Sequence, residues 1–195
     1  MITIGVLDIQ GAVIEHIRAI EKLPNTKALK VKTLEDLDKI DGIILPGGES
    51  TAMGKLLNEF NLMEPLRKKI KEGFPVWGTC AGMILLAKKI SNDNRVHLAT
   101  MDIEVKRNGY GSQLDSFITS MVIDKVSKEP IPLVFIRAPY VEKVEGNVEV
   151  LAQVDGKIVA CRERNMLVTA FHPELTDNIS FHNYFLNIIK NNKKI

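Results

Sequence analysis

The sequence predicts a three-layer α/β fold with a mostly parallel central sheet. Short apolar runs alternate with amphipathic stretches over residues 2–89, and from about residue 103 to 169 the texture changes to short β-like runs separated by turn signals. The first pattern implies a mostly parallel central sheet with helices on both faces, and the second an antiparallel extension of that sheet.

Taken in order, residues 2–7 form a mainly apolar run that reads as a buried strand. Residues 12–23 read as a helix with Val13, Ile17 and Ile20 on one face. A weak second strand at 29–32 is followed by a helical turn at 34–37. Residues 42–45 make a third strand, which Pro46-Gly47-Gly48 stops. Helical patterns cover 51–58 and 62–72, a short strand covers 75–77, and a helix runs over 81–89. Such alternation implies right-handed crossovers and parallel strands. Later strands are expected at 117–123, 148–154 and 166–170, with turns at Glu145-Gly146-Asn147 and Asp155-Gly156. A terminal helix over 178–190 sets Phe181, Phe185, Ile188 and Ile189 on its apolar side.

At 195 residues, with no repeat, low-complexity tract or linker, residues 1–195 read as a single domain. A chain of this size buries roughly 70% of its unfolded surface and needs no disulfide or metal to support a core. Its net charge of +2, from 26 basic and 24 acidic residues, argues against nucleic acid or an anionic membrane as partner. No apolar run approaches the ~20 residues that cross a bilayer. The N-terminus lacks the basic and apolar segments of a signal peptide, so a cytoplasmic location is expected. There are two cysteines, Cys80 and Cys161, and no cysteine or histidine pair has zinc-ligand spacing. Cys161, in the apolar run 157–161, reads as a small buried hydrophobe.

Cys80 has a different setting. Pro75-Val76-Trp77-Gly78-Thr79-Cys80-Ala81-Gly82 carries a strand into a helix through G-x-C-x-G, the nucleophile elbow with cysteine in place of serine. The strained turn holds the sulfur clear of the sheet, and side chains on the flanking glycines would crowd strand against helix. The first N–H groups of the following helix favour a thiolate and can stabilise an oxyanion. Alone, the pattern also fits a buried cysteine in a tight glycine turn.

A second segment shifts the balance. Phe171-His172-Pro173-Glu174 sets a histidine and a glutamate two residues apart at the end of an apolar strand. In extended backbone both side chains share one side, and Pro173 biases His172 toward that geometry. The carboxylate can then orient the imidazole, completing a Cys80-His172-Glu174 triad. A third segment, Leu45-Pro46-Gly47-Gly48-Glu49-Ser50-Thr51, also ends a strand and opens a helix, with Ser50 placed as its cap. It lacks the Lys-Ser/Thr ending of a phosphate loop, and Glu49 would repel phosphate. Backbone N–H groups at Gly48 and nearby can instead face an oxyanion.

These segments, in this order, resemble the class I glutamine amidotransferases, and among them the glutaminase subunits of pyridoxal 5′-phosphate synthases. The likeness extends through Gln10-Gly11-Ala12-Val13, Arg107-Asn108, Gln113-Leu114-Asp115-Ser116-Phe117 and Phe135-Ile136-Arg137-Ala138-Pro139, and covers essentially the whole chain. Departures are Asp8, Tyr110 and Ser112, none of them in the triad. The resemblance implies hydrolysis of L-glutamine to L-glutamate and ammonia through a thioester on Cys80, with His172 as base and then acid and Glu174 as orienter. It implies Gly48, Glu49, Ser50, Arg107, Ile136 and Arg137 around the substrate, and N–H donors at Gly48 and Ala81 for the oxyanion. No metal or cofactor is implied. The implied partner is a (β/α)₈-barrel synthase subunit, in a large hetero-oligomer, that receives the ammonia. A glutaminase serving another synthase, a cysteine peptidase on the same elbow, or a non-catalytic regulatory subunit are the alternatives.

Overall fold

A computed structural model describes residues 1–110 and 116–194. The motif residues Gln113, Leu114 and Asp115 and the departure at Ser112 lie outside the described residues. Strands β1 (Ile2–Leu7), β2 (Thr26–Val31), β3 (Gly42–Leu45) and β4 (Val76–Thr79) pair in parallel, and β12 (Met166–Thr169) continues in parallel beyond β4. The order β2-β1-β3-β4-β12 changes winding direction between β1 and β3. Ligands of open α/β sheets bind outside the strand carboxyl ends at such a switch point. Every residue of β3, β4 and β12 is buried, which is why these runs show no polar alternation and only Thr79 and Thr169, at the ends of β4 and β12, are polar.

The three layers follow from β4. Trp77 turns toward the C-terminal helix α6 (Ser180–Lys193), with its ring 6.2 Å from Phe181 and 5.9 Å from Phe185. Gly78, pointing the opposite way, meets the backbone of Gly82 in α5 (Ala81–Leu86). Helix α1 (Val13–Glu21) shares the α6 face, since His16 contacts His182. Helices α3 (Ser50–Glu59) and α4 (Met63–Lys71) pack with one another, and α3 packs with α5, on the other face. A short α2 (Leu34–Asp38) precedes β3, its start fixed by a reciprocal capping box between Thr33 and Asp36. Among the described residues no helix is long and apolar enough to cross a membrane.

The extension adds β11 (Lys157–Glu163), antiparallel to β12, then β9 (Tyr140–Val144) and β6 (Met101–Lys106), with β10 (Glu149–Val154) also on β11. Two expectations are corrected here. The helix over 81–89 ends at Leu86, and Ala87–Ile90 forms β5, parallel to β6. Residues 81–86 are buried all round, whereas in β5 only Ala87 and Ile90 turn inward and Lys88 and Lys89 remain in water. The run at 117–123 belongs to β7 (Ser116–Ile123), which leaves the main sheet and pairs with β8 (Ser127–Ile136) as a separate two-stranded sheet. The short turn at 124–126 makes that local pairing cheap in loop entropy, and Phe117 stacks on Phe135 at 4.5 Å.

Boundaries elsewhere move by a few residues. The second strand starts at Thr26, whose hydroxyl donates to the Ile20 and Leu23 carbonyls, and not at residue 29. The terminal helix runs from Ser180 to Lys193 and not over 178–190.

Candidate active site

The elbow is built as its glycines require. Cys80 takes φ 49°, ψ −103°, a left-handed conformation that a non-glycine residue holds only when its surroundings impose it. Its N–H donates to the Thr169 carbonyl at 2.8 Å, so β12 pins the turn. A Cβ on Gly78 would overlap the Gly82 backbone, and a Cβ on Gly82 would overlap the Leu45 carbonyl. Gly82→Ala is therefore expected to destabilise the fold by about 1–3 kcal/mol, read as a lower denaturant midpoint at unchanged slope. An unchanged midpoint would show that the crossing has room to spare.

His172 and Glu174 meet, but not on an extended strand. β12 ends at Thr169, and Pro173–Leu175 form a single 3₁₀ turn that begins at His172. Proline's preset φ suits the first position of such a turn, so Pro173 starts a helical turn where extended backbone was expected. The turn swings Glu174 back under the imidazole, with Nδ1 of His172 2.6 Å from Oε1 of Glu174. The His172 N–H donates to the Val134 carbonyl at 2.8 Å, fixing the backbone to β8. Burial opposes the charged imidazole, but hydrogen bonds to Cys80 and Glu174, with their charges, outweigh it and push the His172 pKa up to about 10. Cys80 on one side and Glu174 on the other thus hold the protonated imidazole between them. Both Cys80 and Glu174 are buried, and the Glu174 side chain is fully so.

The Gly47–Ser50 loop differs from expectation in its cap. Glu49, not Ser50, caps α3: its carboxylate accepts from the N–H groups of Thr51 at 3.0 Å and Ala52 at 2.7 Å. These bonds hold the Glu49 carboxyl below its ordinary range. A charged acceptor at a helix N-terminus outcompetes a neutral hydroxyl, and Ser50 becomes the first, buried residue of the helix. The Glu49 N–H donates to Oε1 of Gln10 at 2.8 Å, so the loop after β1 holds the loop after β3. Both glycines are packed without slack, since a side chain on Gly47 would strike the His172 ring and one on Gly48 the Gln10 amide.

A cleft of about 650 Å³ gathers Gly48, Glu49, Ser50, Cys80, Ala81, Arg107, Ile136, Arg137 and His172 along its lining. Glu174 is the one expected site residue outside this lining; it sits behind His172. Arg107 approaches Thr51 Oγ1 at 3.5 Å and Asp93 at 3.6 Å, leaving Nε and Nη2 without hydrogen-bond partners among the described residues. Both of these nitrogens are buried, and the Arg107 side chain still lines the cleft. Arg137 takes φ 43° and Asn108 φ 45°, and the Gly109 N–H ties their two loops by donating to the Ala138 carbonyl at 2.9 Å. Left-handed residues thus cluster at Cys80, Asn108 and Arg137. Sequence reasoning gave no site role to Gln10, Asn108 or Pro139, which also line the cleft. The signal for Gln10 was available: a polar residue in the turn just after the first buried strand. Among the described residues no three His, Cys, Asp or Glu side chains group as metal ligands.

This architecture has close counterparts. A family model described as the SNO glutamine amidotransferase family matches residues 6–191. The chain belongs to that family. It is 60% identical over 186 residues to a Ruminiclostridium cellulolyticum protein named pyridoxal 5′-phosphate synthase subunit PdxT, covering 95% of this chain and 98% of that one. A Clostridium botulinum protein of the same name is 55% identical over 193 residues, covering 99% and 100% respectively. A solved structure described as a glutamine amidotransferase superposes with a TM-score of 0.90 at 37% identity, covering 96% of this chain and 98% of that one. The SNO amidotransferase fold thus accounts for the parallel sheet, the elbow after β4 and the cleft at the β1/β3 switch point.

Proposed function

We propose that residues 1–195 form one glutaminase domain that hydrolyses L-glutamine to L-glutamate and ammonia for a pyridoxal 5′-phosphate synthase. The observation that carries this reading is the His172–Glu174 pair, 2.6 Å apart, beside a cysteine on a strained elbow in a cleft large enough for an amino acid. The family and the names of its relatives select the amide of glutamine over other acyl substrates.

In the resting site His172 carries its proton and Cys80 is the thiolate. Sulfur attacks the side-chain amide carbon, and the developing oxyanion faces the N–H groups of Ala81, at the start of α5, and Gly48. The imidazolium gives its proton to the departing ammonia, leaving a thioester on Cys80. Neutral His172 then takes a proton from water, which attacks the thioester and frees glutamate. Glu174 holds Nδ1 throughout, so that the other ring nitrogen faces the reacting atoms. Arg107, which lines the cleft, receives the substrate α-carboxylate, and Ser50, Ile136, Arg137 and the Glu49 backbone shape the pocket. The Glu49 carboxylate belongs to the helix cap and makes its contribution by fixing the loop.

The partner in this reading is a (β/α)₈-barrel synthase subunit in a large hetero-oligomer. Ile136 and Leu175, both exposed and both at the cleft, offer apolar surface for it. An enzyme that makes ammonia for another site wastes glutamine when it runs alone. Rotation of the Gly47–Gly48 peptide breaks the bond from the Ala12 N–H to the Gly47 carbonyl, and contact with the partner supplies the compensation that lets the loop complete the oxyanion donors; one such donor is worth roughly 10²–10³ in turnover. Adding the synthase subunit is expected to raise steady-state glutamate release by at least about tenfold at saturating glutamine. Equal rates with and without it would reject the gate and leave the triad standing. Hydrolysis of peptides in preference to glutamine would reject the glutaminase reading itself.

A further inference from the structure

Behind the pocket lies a second cluster of titratable groups that the chemistry above does not use. His16 on α1 and His182 on α6 are both buried, with His16 Nδ1 3.0 Å from His182 Nε2. His16 Nε2 lies 3.3 Å from Thr79 Oγ1 and 3.6 Å from Oε2 of Glu174. Trp77 closes the cluster edge-on, with its ring 5.6 Å from His16 and 4.8 Å from His182. Among the described residues Glu174 Oε2 and His182 Nδ1 have no hydrogen-bond partner.

Proton bookkeeping decides the tautomers. Burial keeps both imidazoles neutral, assisted at His16 by the neighbouring His182 and at His182 by Lys22. A single proton therefore lies between His16 Nδ1 and His182 Nε2. If His16 held it, the bare Nε2 lone pair of His16 would face a buried carboxylate oxygen. If His182 holds it, His16 carries Nε2–H, which donates toward Thr79 Oγ1 and aims its dipole at Glu174 Oε2. The Thr79 hydroxyl has its own acceptor in the Leu45 carbonyl at 3.5 Å, which leaves a lone pair for His16. At 3.6 Å from Oε2 the N–H acts as an oriented dipole and not a full hydrogen bond, and burial strengthens that action.

We infer that His16, held in its Nε2–H tautomer by His182, is a positioning residue that fixes the second oxygen of Glu174 so that the first stays on His172. As a statement about turnover this rests on the glutaminase reading; as a statement about protons it does not. The titratable groups around the pair are Cys80 from the elbow, His16 from α1 and, behind it, His182 from α6.

Two arms test it. In glutamine hydrolysis with the synthase subunit present, His16→Leu is expected to lower kcat by about tenfold to a hundredfold and leave KM little changed. His16→Gln, whose amide restores an N–H, should recover most of the rate. In a Glu174→Gln background His16→Leu should add almost no further loss, because no carboxylate remains to be held. Additive losses, or a folded His16→Leu enzyme with wild-type kcat, would overturn the inference. The second arm needs neither activity nor a variant that folds. Nitrogen NMR of the wild-type chain with isotope-labelled histidine should show His16 neutral and protonated on Nε2. A proton on Nδ1 of His16 would overturn the inference, whereas Nε2–H in a chain that hydrolyses no glutamine even with the synthase subunit would uphold the tautomer while removing the glutaminase reading.

Discussion

Cys80→Ala and Cys80→Ser are expected to lower glutamine hydrolysis by roughly 10⁶-fold, to the limit of detection, while the fold survives. The size of the loss follows from mechanism: without the thiolate there is no thioester, and the remaining pocket offers only oriented hydrogen bonds to an unactivated water. Serine is no substitute, because its hydroxyl does not ionise against His172 as a thiol does. The strained backbone at Cys80 is set by the Thr169 carbonyl and the Gly78–Gly82 crossing, neither of which involves the sulfur. Thermal unfolding of the variants should therefore stay close to wild type. Cys161→Ala is the control: Cys161 is fully buried in β11, and the variant should keep turnover at a stability cost of about 1 kcal/mol. Loss of turnover in Cys161→Ala with retention in Cys80→Ser would reverse the assignment.

The next largest effects lie on the other two members. His172→Asn removes the proton carrier and is expected to cost roughly 10⁴-fold or more, with Glu174→Gln costing less because it weakens orientation and charge but leaves the imidazole in place. Glu174→Gln should also differ from the wild type in pH dependence. The His172 pKa, about 10, is raised by Cys80 and Glu174 against the effect of burial, so the active imidazolium persists below that value and is lost as pH rises through it. Glu174→Gln removes one of the raising partners, and the alkaline limb of the activity profile should move to lower pH. A limb at the same pH in both enzymes, with equal turnover, would show that Glu174 only supports the fold.

How far this was legible in the sequence can be judged residue by residue. The buried parallel strands were readable because β3 and β4 are mostly apolar without alternation, and the elbow because two glycines at fixed spacing serve a crossing that admits no Cβ. The hairpin β7–β8 was misplaced because alternation along residues 117–123 reports one buried face but not which sheet supplies it. The helix after Cys80 was overextended because Ala87-Lys88-Lys89 is as good a helical sequence as a strand, and only pairing with β6 decides. Within the site, the sequence set His172 beside Glu174 but attributed their meeting to extended backbone, where the structure uses a 3₁₀ turn started by Pro173. The cap of α3 was assigned to Ser50 for a related reason: the spacing of Glu49 and Ser50 does not say which side chain turns back onto the helix. His16 was the least visible. It lies on the buried stripe of α1, between Val13 and Ile20, and nothing local indicates that Glu174 stands opposite.

The most direct measurement is covalent. A glutamine-mimicking chloroketone, added to the chain together with the synthase subunit, should form one thioether, and peptide mass mapping should place it on Cys80. An excess of glutamine should protect against it, because the label must enter the same cleft. Burial pushes the Cys161 thiol up to about 12, so that residue should remain unmodified. An adduct at Cys80 that glutamine suppresses is the predicted result; an adduct at Cys161, or labelling of Cys80 that glutamine leaves unchanged, would contradict a glutaminase built on Cys80.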